Sequence, residues 1–247
     1  MTSEAKVALV TGSSRGIGAA IARRLAAAGH AVIVNYAGRA ADAEQVVKEI
    51  EAAGGRAAAV QADVSKPADV VRLFDEARAA FGGVDILVNN AGVMHPGLVP
   101  LADTDDELLD RILSINIKGT FYTMRQAAKD LRSGGSVVNL STSVLGLALP
   151  GYSVYAASKA AVETMTSIFA KELRGRDITV NAVAPGPTAT ELFFTGKSEE
   201  QIEKMAKLSP LERLGRPEDI AEVVAFLASP QGRWVNGQTL RANGGMV

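Results

Sequence analysis

The sequence predicts an α/β fold in which a doubly wound parallel sheet of about seven strands carries helices on both faces. Short apolar runs rich in β-branched residues alternate along the chain with longer helical patterns. These runs are continuously apolar, as is typical of strands that helices cover on both sides. The alternation continues without a linker or a low-complexity segment, so we expect residues 1–247 to form one domain.

Six apolar runs mark predicted strands. In chain order they read KVALV, AVIVN, AAAVQ, ILVNN, SVVNL and ITVNAVA. Helical patterns cover residues 17–28, 42–53, 68–81, 106–131 and 153–173. Glycine and proline bound the shorter patterns, since the first ends at Gly29 and the third begins after Pro67 and ends at Gly82.

Residues 191–216 depart from this alternation. The segment has no strand pattern and contains LFFTGKSEEQIEKMAKLSP between two well-patterned regions. Such a segment is typical of a short helical insertion over a ligand site. We therefore expect a helical substrate lid around residues 191–216.

Composition excludes several classes of protein. A net charge of -1 gives no general attraction to nucleic acid or to an anionic membrane. The absence of cysteine excludes disulfides and thiolate zinc sites, and two histidines make a histidine-rich metal site an unpromising hypothesis. The first residues, MTSEAKVALVTG, lack the pattern of a signal peptide, and no apolar run reaches transmembrane length. We expect a cytoplasmic protein without a metal.

The stretch TGSSRGIG follows the first predicted strand and opens a helix. Its glycines, Gly12, Gly16 and Gly18, have the spacing G-x-x-x-G-x-G. Glycine lets backbone N–H groups approach a pyrophosphate closely, and the helix N-terminus favours anions. The turn therefore predicts a dinucleotide site. The alternative is an ordinary turn whose small residues serve helix–sheet packing.

The end of the second strand indicates which dinucleotide is bound. NAD sites place an acidic residue there, about 20 residues beyond the glycines, for the ribose 2′-hydroxyl. Here residues 35–39 read NYAGR, without a carboxylate. Arg39 and Arg15 can both bind a 2′-phosphate through charge-assisted hydrogen bonds. NADP(H) is therefore favoured and NAD(H) stays possible, the alternative being two solvated surface arginines.

Tyr155 and Lys159 are four residues apart on a predicted helix and hence on one face. A phenol has an ordinary pKa near 10. One positive charge at about 4 Å, at an effective dielectric near 20, contributes roughly 4 kcal/mol and lowers that pKa by up to about three. The pair predicts a proton donor for a carbonyl oxygen during hydride transfer. The alternative for the same spacing is that Tyr155 only packs against its neighbours and Lys159 is a solvated cation.

Several motifs occur in one order along the chain. They are TGSSRGIG, the DV of Asp63 and Val64, NNAG at 89–92, NIKG at 116–119, NLSTS at 139–143, YAASK at 155–159 and PGPTAT at 185–190. Together they resemble the short-chain dehydrogenase/reductase family over essentially the whole chain. The resemblance implies a single-domain Rossmann fold and an NAD(P)-dependent oxidoreductase.

The resemblance also implies a role for each matching position. The catalytic residues would be Asn116, Ser143, Tyr155 and Lys159. The cofactor would be bound by Gly12, Ser14, Arg15, Gly16, Ile17, Gly18, Tyr36, Arg39, Asp63, Val64, Asn90, Ala91, Gly92, Tyr155, Lys159, Pro185, Gly186, Thr188 and Thr190. Asn89 is expected to support the strand end. Lys159 would hydrogen-bond the nicotinamide ribose, and Asn116 would hold a proton-relaying water unless it merely satisfies backbone groups at a kink.

The substrate-orienting serine is ambiguous. In the family it usually stands thirteen positions before the tyrosine, where this chain has Thr142. Ser143 stands in the better-matching local pattern SVLG, and a one-residue deletion after Gly146 would reconcile the spacing. We predict Ser143, with Thr142 and Ser141 as the alternatives.

The predicted reaction is the reversible NADPH-dependent reduction of a ketone or other carbonyl to a secondary alcohol. The C-terminal RLGRPEDIAEVVAFLAS and VNGQTLRANGGMV most resemble the 3-oxoacyl-carrier-protein reductase branch, which implies a 3-oxoacyl thioester and an acyl carrier protein as partner. Lys129, Arg132, Arg174 and Arg176 would be a basic patch for that acidic partner, or solvated charges at helix ends. A broad ketone, diketone or aldehyde reductase is the alternative, and a non-catalytic NADP-binding regulator is less favoured. The family resemblance implies a homotetramer.

Overall fold

The computed structural model describes residues 5–95 and 97–247 and confirms the predicted α/β fold. Within these residues one sheet contains seven parallel strands in the order β3-β2-β1-β4-β5-β6-β7. The strands are β1 (Val7–Val10), β2 (Ala31–Tyr36), β3 (Arg56–Gln61), β4 (Val84–Asn89), β5 (Leu131–Leu140), β6 (Thr179–Pro185) and β7 (Thr239–Ala242). The strand order reverses between β1 and β4, which is where doubly wound sheets open a crevice at their carboxyl ends.

Ten α-helices accompany the sheet in the described part of the chain. They are α1 (Gly16–Ala27), α2 (Ala40–Ala52), α3 (Pro67–Phe81), α4 (Asp106–Ile112), α5 (Thr120–Asp130), α6 (Val144–Leu147), α7 (Ser153–Glu172), α8 (Glu191–Phe194), α9 (Glu199–Lys207) and α10 (Pro217–Ala228). A π-helical turn, Leu113–Gly119, joins α4 to α5, and short 3₁₀ turns cover Leu101–Asp103 and Pro230–Gly232.

Each central strand alternates its side chains between two apolar layers. Ala8 and Val10 of β1 pack in a layer with α1, α2 and α10, whereas Leu9 points to the opposite layer with α3, α5 and α7. Helices therefore cover both faces of the sheet, which explains why the strands read as continuous apolar runs. Phe74 of α3 is among the largest fully buried side chains.

The predicted long helix over 106–131 differs from the structure in two respects. The π-helical turn interrupts its α-helical hydrogen bonding between α4 and α5, and Leu131 already belongs to β5. β5 is also longer than the run SVVNL, because residues 131–135 continue the strand past a register shift opposite Val84 and Ile86.

The segment 191–216 contains two of the short helices, α8 and α9. Its base is closed by a parallel bridge between Thr188 and Gly215, where Ala189 N donates to Gly215 O at 2.8 Å and Gly215 N to Pro187 O at 2.9 Å. The helical character predicted for this segment is present. Its action as a lid stays a prediction.

Candidate active site

One cavity of about 530 Å³ lies at the carboxyl ends of the strands, at the point where the strand order reverses. Every residue that the resemblance assigns to cofactor binding lines it. Tyr155 and Lys159 line the same cavity, as do the predicted Ser143 and its alternatives Thr142 and Ser141. The fold therefore brings the predicted cofactor residues and the predicted proton-transfer pair to one place.

The glycine turn between β1 and α1 is a close-packed cradle. Gly12 has φ +60°, and a Cβ there would lie 2.9 Å from Ala91 Cα. A Cβ on Gly18 would lie 2.5 Å from both Gly12 O and Asn90 Nδ2. Both positions require glycine, and the space they leave at the start of α1 suits the close approach of a pyrophosphate. The residues present thus fit a dinucleotide.

Polar side chains that the sequence reasoning did not assign hold this turn in place. Asn35 accepts from Gly12 N at 3.1 Å and donates to the carbonyl oxygens of Val60 and Ala62 at 3.2 and 3.1 Å. The Thr11 hydroxyl accepts from the backbone N–H groups of Asn90 and Ala91, both at 3.0 Å. A buried asparagine at the end of an apolar strand was the available signal for Asn35.

The NNAG motif divides into two structural roles. Asn90 Nδ2 donates to Thr11 O at 2.9 Å and to Gly12 O at 2.8 Å, so its side chain braces the glycine turn. Asn89 Nδ2 donates to Asn139 Oδ1 at 2.8 Å, within a buried chain of hydrogen bonds that ties β4 to β5. The structural role predicted for Asn89 agrees with these contacts.

Two arginines and a glutamate form the rim of the cavity near the end of β2. Arg15 of the glycine turn and Arg39 at the start of α2 both pair with the carboxylate of Glu191 in α8. Arg39 also lies 3.4 Å from Asp42. All of these side chains are exposed, and the two arginines occupy the positions predicted to bind a 2′-phosphate.

Asp63 and Val64, which are predicted to bind the cofactor, lie in the loop after β3. Asp63 Oδ1 accepts from the backbone N–H and the hydroxyl of Ser65 at 3.0 and 2.7 Å, which holds the loop after β3. Val64 is buried against Gly119, where a Cβ would lie 2.8 Å from Val64 Cγ2. The glycine of NIKG therefore makes room for Val64 beside the cavity.

Tyr155 and Lys159 lie one turn apart on α7, as predicted, and burial dominates both pKa values. Burial lowers the pKa of Lys159 to about 8, and its Nζ donates to Leu140 O at 2.7 Å. Burial raises the pKa of Tyr155 to about 12, and a hydrogen bond with Thr142 acts in the opposite direction. The expectation that Lys159 lowers the pKa of this phenol is therefore wrong for the protein alone.

The three hydroxyls after β5 have different partners. Ser143 Oγ donates to Ala184 O at 3.0 Å and accepts from Asn243 Nδ2 at 3.0 Å. Ser141 Oγ donates to Glu163 Oε1 at 2.6 Å. Thr142 Oγ1 accepts from Val144 N at 3.3 Å, and a hydrogen bond with Thr142 lowers the pKa of the Tyr155 phenol. These contacts argue against the prediction of Ser143, whose hydroxyl is already engaged by β6 and by the residue after β7.

Asn116 lies behind the cavity rather than in its lining. It sits in the π-helical turn, where Oδ1 accepts from Val93 N at 2.9 Å and Nδ2 donates to Val93 O at 2.9 Å and to Ser158 Oγ at 3.0 Å. Both N–H groups of its amide and one acceptor site of its oxygen thus join the loop after β4 to α7. A Cβ on Gly92 would lie 3.4 Å from both Asn116 Oδ1 and Lys159 Nζ, so the two side chains flank this glycine.

The remainder of the cavity wall is largely apolar. Val93, Met94, Leu147, Tyr152 and Met205 line it. The Tyr152 ring lies 6.4 Å from the Tyr155 ring. From the LFF run, Leu192 and Phe193 also line the cavity, whereas Phe194 is not part of the lining. The wall suits the uncharged body of a carbonyl compound.

The predicted basic patch lies at the other edge of the sheet. Lys129 and Arg132 flank the amino end of β5, and Arg174 and Arg176 precede β6, whereas the cavity lies at the carboxyl ends. Arg132 pairs with Asp85 at 2.5 Å, and Arg176 donates to the carbonyl oxygens of Ala128 and Leu131. These four side chains therefore form no basic patch beside the cavity, and the alternative of charges near helix ends stays.

Residues 5–95 and 97–247 contain no cluster of three or more side chains that could hold a metal ion. The same residues form no helix that is long and apolar enough to cross a membrane.

The sequence is similar to those of known proteins over nearly its whole length. A family model described as enoyl-(acyl carrier protein) reductase matches residues 12–247. A short-chain type dehydrogenase/reductase of Picea abies is 49% identical over 250 residues, covering 98% of this chain and 92% of that protein. An NADPH-dependent aldehyde reductase-like protein, chloroplastic, of Arabidopsis thaliana is 49% identical over 254 residues, covering 98% and 94%.

The chain is also similar to solved structures. A crystal structure of a short chain dehydrogenase from Burkholderia cenocepacia J2315 in complex with NADP has a TM-score of 0.91 at 40% identity. The match covers 98% of this chain and 97% of that one.

Proposed function

The chain belongs to the short-chain dehydrogenase/reductase family, and we propose that it is an NADPH-dependent reductase that converts a ketone or an aldehyde to the alcohol. One observation carries the proposal: Tyr155, Lys159 and Thr142 line the same cavity as the glycine cradle. The similar proteins whose names include NADPH or NADP support the choice of cofactor.

The chain's own residues divide the binding of NADP(H) between them. The cradle of Gly12 and Gly18 would take the pyrophosphate at the start of α1. Arg15 and Arg39 would bind the 2′-phosphate, and residues 185–190 would position the nicotinamide. The bound cofactor supplies the hydride that reduces the carbonyl carbon.

Tyr155 would donate the proton that the carbonyl oxygen needs as negative charge develops on it. A phenol whose pKa is raised to about 12 keeps its proton at neutral pH, which suits the direction of reduction. Thr142, beside that phenol, would hydrogen-bond the carbonyl oxygen and hold the carbon in place. We therefore assign the orienting role to Thr142 in place of Ser143.

Lys159 would supply positive charge to the cavity and contact the ribose of the cofactor. Its pKa of about 8 leaves the ammonium charged over most of the neutral range. Because both N–H groups of the Asn116 amide already donate hydrogen bonds, a water that relays protons to Lys159 would bind a main-chain oxygen of the π-helical turn. Asn116 would act as a positioning residue.

The substrate class favoured by the cavity is an uncharged aldehyde or ketone. The largely apolar lining supports it. The four cationic side chains of the predicted patch lie at the opposite edge of the sheet and give no support to a docked acyl carrier protein, although Arg111 and Lys197 do line the cavity. A 3-oxoacyl thioester is the second candidate, since the matching family model is described as enoyl-(acyl carrier protein) reductase, a name that also refers to a carrier-bound acyl thioester. Segment 191–216 would cover the bound substrate, with Leu192 and Phe193 facing it.

Steady-state assays of NADPH oxidation test the proposal. The panel would contain medium-chain aldehydes, small ketones, a diketone and a 3-oxoacyl thioester on both a short carrier mimic and an acyl carrier protein. We expect the highest kcat/KM for an aldehyde or ketone, and a kcat about 10³-fold lower for Tyr155→Phe. Turnover confined to the carrier-bound thioester would select the second candidate, and NADPH binding without turnover of any carbonyl would indicate a regulator.

Assembly and compartment are further parts of the proposal. We propose a homotetramer, as the family resemblance implies, and a cytoplasmic location, which the absence of cysteine suits. Sedimentation velocity tests the first, and fractionation of the source cells tests the second.

A further inference from the structure

Glu191 forms ion pairs with Arg15 and Arg39, the two arginines that are proposed to bind the 2′-phosphate. It is the first residue of α8, and its carboxylate bridges two guanidinium groups from distant parts of the chain. One oxygen pairs with Arg15 Nη1 of the glycine turn, and the other lies 3.4 Å from Arg39 Nη2.

The position of this bridge follows from the packing of the preceding residue. Thr190 caps α8 by accepting from Phe193 N at 3.2 Å. A Cβ on Gly16 would lie 3.5 Å from Thr190 Cγ2, so the segment after β6 passes directly over the glycine turn. The packing of Thr190 against the glycine turn therefore places Glu191 within hydrogen-bonding distance of both arginines.

The bridge uses the donors that a phosphate would need. Guanidinium groups bind carboxylate and phosphate through the same charge-assisted hydrogen bonds. The hydrogen bond and the charge of Arg15, with a smaller effect of Arg39, lower the pKa of Glu191, so this carboxylate is an anion at neutral pH. Asp42 adds a second carboxylate beside Arg39 only.

We propose that Glu191 is an internal competitor of the cofactor's 2′-phosphate for Arg15 and Arg39, and that it limits the preference for NADP(H) over NAD(H). The inference rests on the proposed phosphate site at these two arginines. A phosphate with nearly two negative charges displaces the single charge of the carboxylate. A dinucleotide that lacks the phosphate leaves the bridge in place.

Equilibrium binding of nucleotide fragments tests this without turnover. Calorimetric titration would compare 2′,5′-ADP, which carries the phosphate, with 5′-AMP, which lacks it, on wild type and Glu191→Gln. Glutamine keeps the size of the side chain and removes the competing charge. We expect Glu191→Gln to bind 2′,5′-ADP roughly 3- to 10-fold more tightly at low salt and 5′-AMP within about twofold of wild type.

Glu199→Gln is the matched control. Glu199 begins α9 in the same segment and makes no ion pair among the contacts of the described residues. This variant should bind both fragments as wild type does. An effect as large as that of Glu191→Gln would reduce the result to general electrostatics and overturn the inference.

Three other outcomes would overturn the inference, and they distinguish its failure from failure of the function on which it rests. Unchanged or weaker binding of 2′,5′-ADP by Glu191→Gln, while Arg39→Ala still loses the preference over 5′-AMP, overturns the inference alone. If Arg15→Ala and Arg39→Ala both keep that preference, the phosphate site itself is wrong and the inference fails with it. Weaker binding of 5′-AMP by Glu191→Gln would show that the carboxylate holds ribose hydroxyls instead.

Discussion

The two ends of the cavity are built in opposite ways. At the end that contains Tyr155, Thr142 and Lys159 are buried and burial raises the pKa of the phenol. At the rim near the end of β2, Arg15, Arg39 and Glu191 keep 42%, 49% and 61% of their side-chain surface exposed. Buried groups are fixed and interact strongly, whereas exposed pairs are worth about 0.2–1 kcal/mol each and are screened by salt. We infer that chemistry is assigned to the buried end and cofactor choice to the exposed end.

Replacement of Tyr155 should have the largest effect on turnover of all the variants. Tyr155→Phe keeps the ring and removes the proton donor, so we expect kcat to fall by about 10³-fold. Dissociation constants for NADPH, measured by fluorescence titration, should stay within about threefold of wild type. A comparable loss of NADPH affinity would show that the phenol serves binding.

The buried ammonium of Lys159 predicts a pH-dependent stability. Its folded-state pKa of about 8 lies below the ordinary value of 10.5, so between these values the unfolded chain holds a proton that the folded chain lacks. The free energy of unfolding of wild type should therefore rise with pH across this window relative to Lys159→Met, toward a limit of about 3 kcal/mol. Urea denaturation at pH 7.5, 8.5 and 9.5 measures the difference. A difference that is flat or falls with pH would contradict burial as the cause.

Variants of the neighbouring residues Thr142 and Ser143 should distinguish a hydroxyl that acts in turnover from one that stabilises the fold. Thr142→Val removes the hydroxyl beside Tyr155, and we expect kcat to fall by roughly 10- to 100-fold, with Thr142→Ser restoring most of it. Ser143→Ala removes hydrogen bonds to Ala184 and Asn243 and should cost about 1 kcal/mol of stability with kcat nearly unchanged. Steady-state kinetics and urea denaturation on the three variants measure both. The reverse pattern would return the orienting role to Ser143.

Salt should give the smallest effect, and only at the exposed end. Raising the salt concentration from about 50 to 500 mM should weaken NADPH binding by several-fold more than NADH binding, because screening acts on the 2′-phosphate contacts. The turnover number at saturating NADPH should change little. Equal salt dependence for the two cofactors would show that the rim arginines do not read the phosphate.

Local patterns predicted most of the fold because each strand and helix carries its own signal. The runs around Leu9 and Ile33 are apolar on both faces, and Pro67 and Gly82 bound α3. The π-helical turn at Leu113–Gly119 was not predicted, because its wider hydrogen-bond spacing has no distinct sequence pattern.

The site was predictable where it depends on local spacing and not where it depends on distant partners. Tyr155 and Lys159 share a face because they are four residues apart. Ser143 is engaged by Asn243, one hundred residues later, and the pKa of Tyr155 is raised by desolvation in the folded protein. Neither is visible in the motif that contains the residue.

Single-turnover kinetics test the division of labour most directly. Enzyme preloaded with saturating NADPH would be mixed with the best carbonyl substrate, and cofactor oxidation followed by stopped-flow absorbance in wild type, Tyr155→Phe, Arg39→Ala and the double variant. We predict a rate about 10³-fold lower for Tyr155→Phe, a rate within about twofold of wild type for Arg39→Ala, and a double variant equal to Tyr155→Phe alone. A Tyr155→Phe rate within about tenfold of wild type, or an Arg39→Ala rate reduced as severely as that of Tyr155→Phe, would contradict the account.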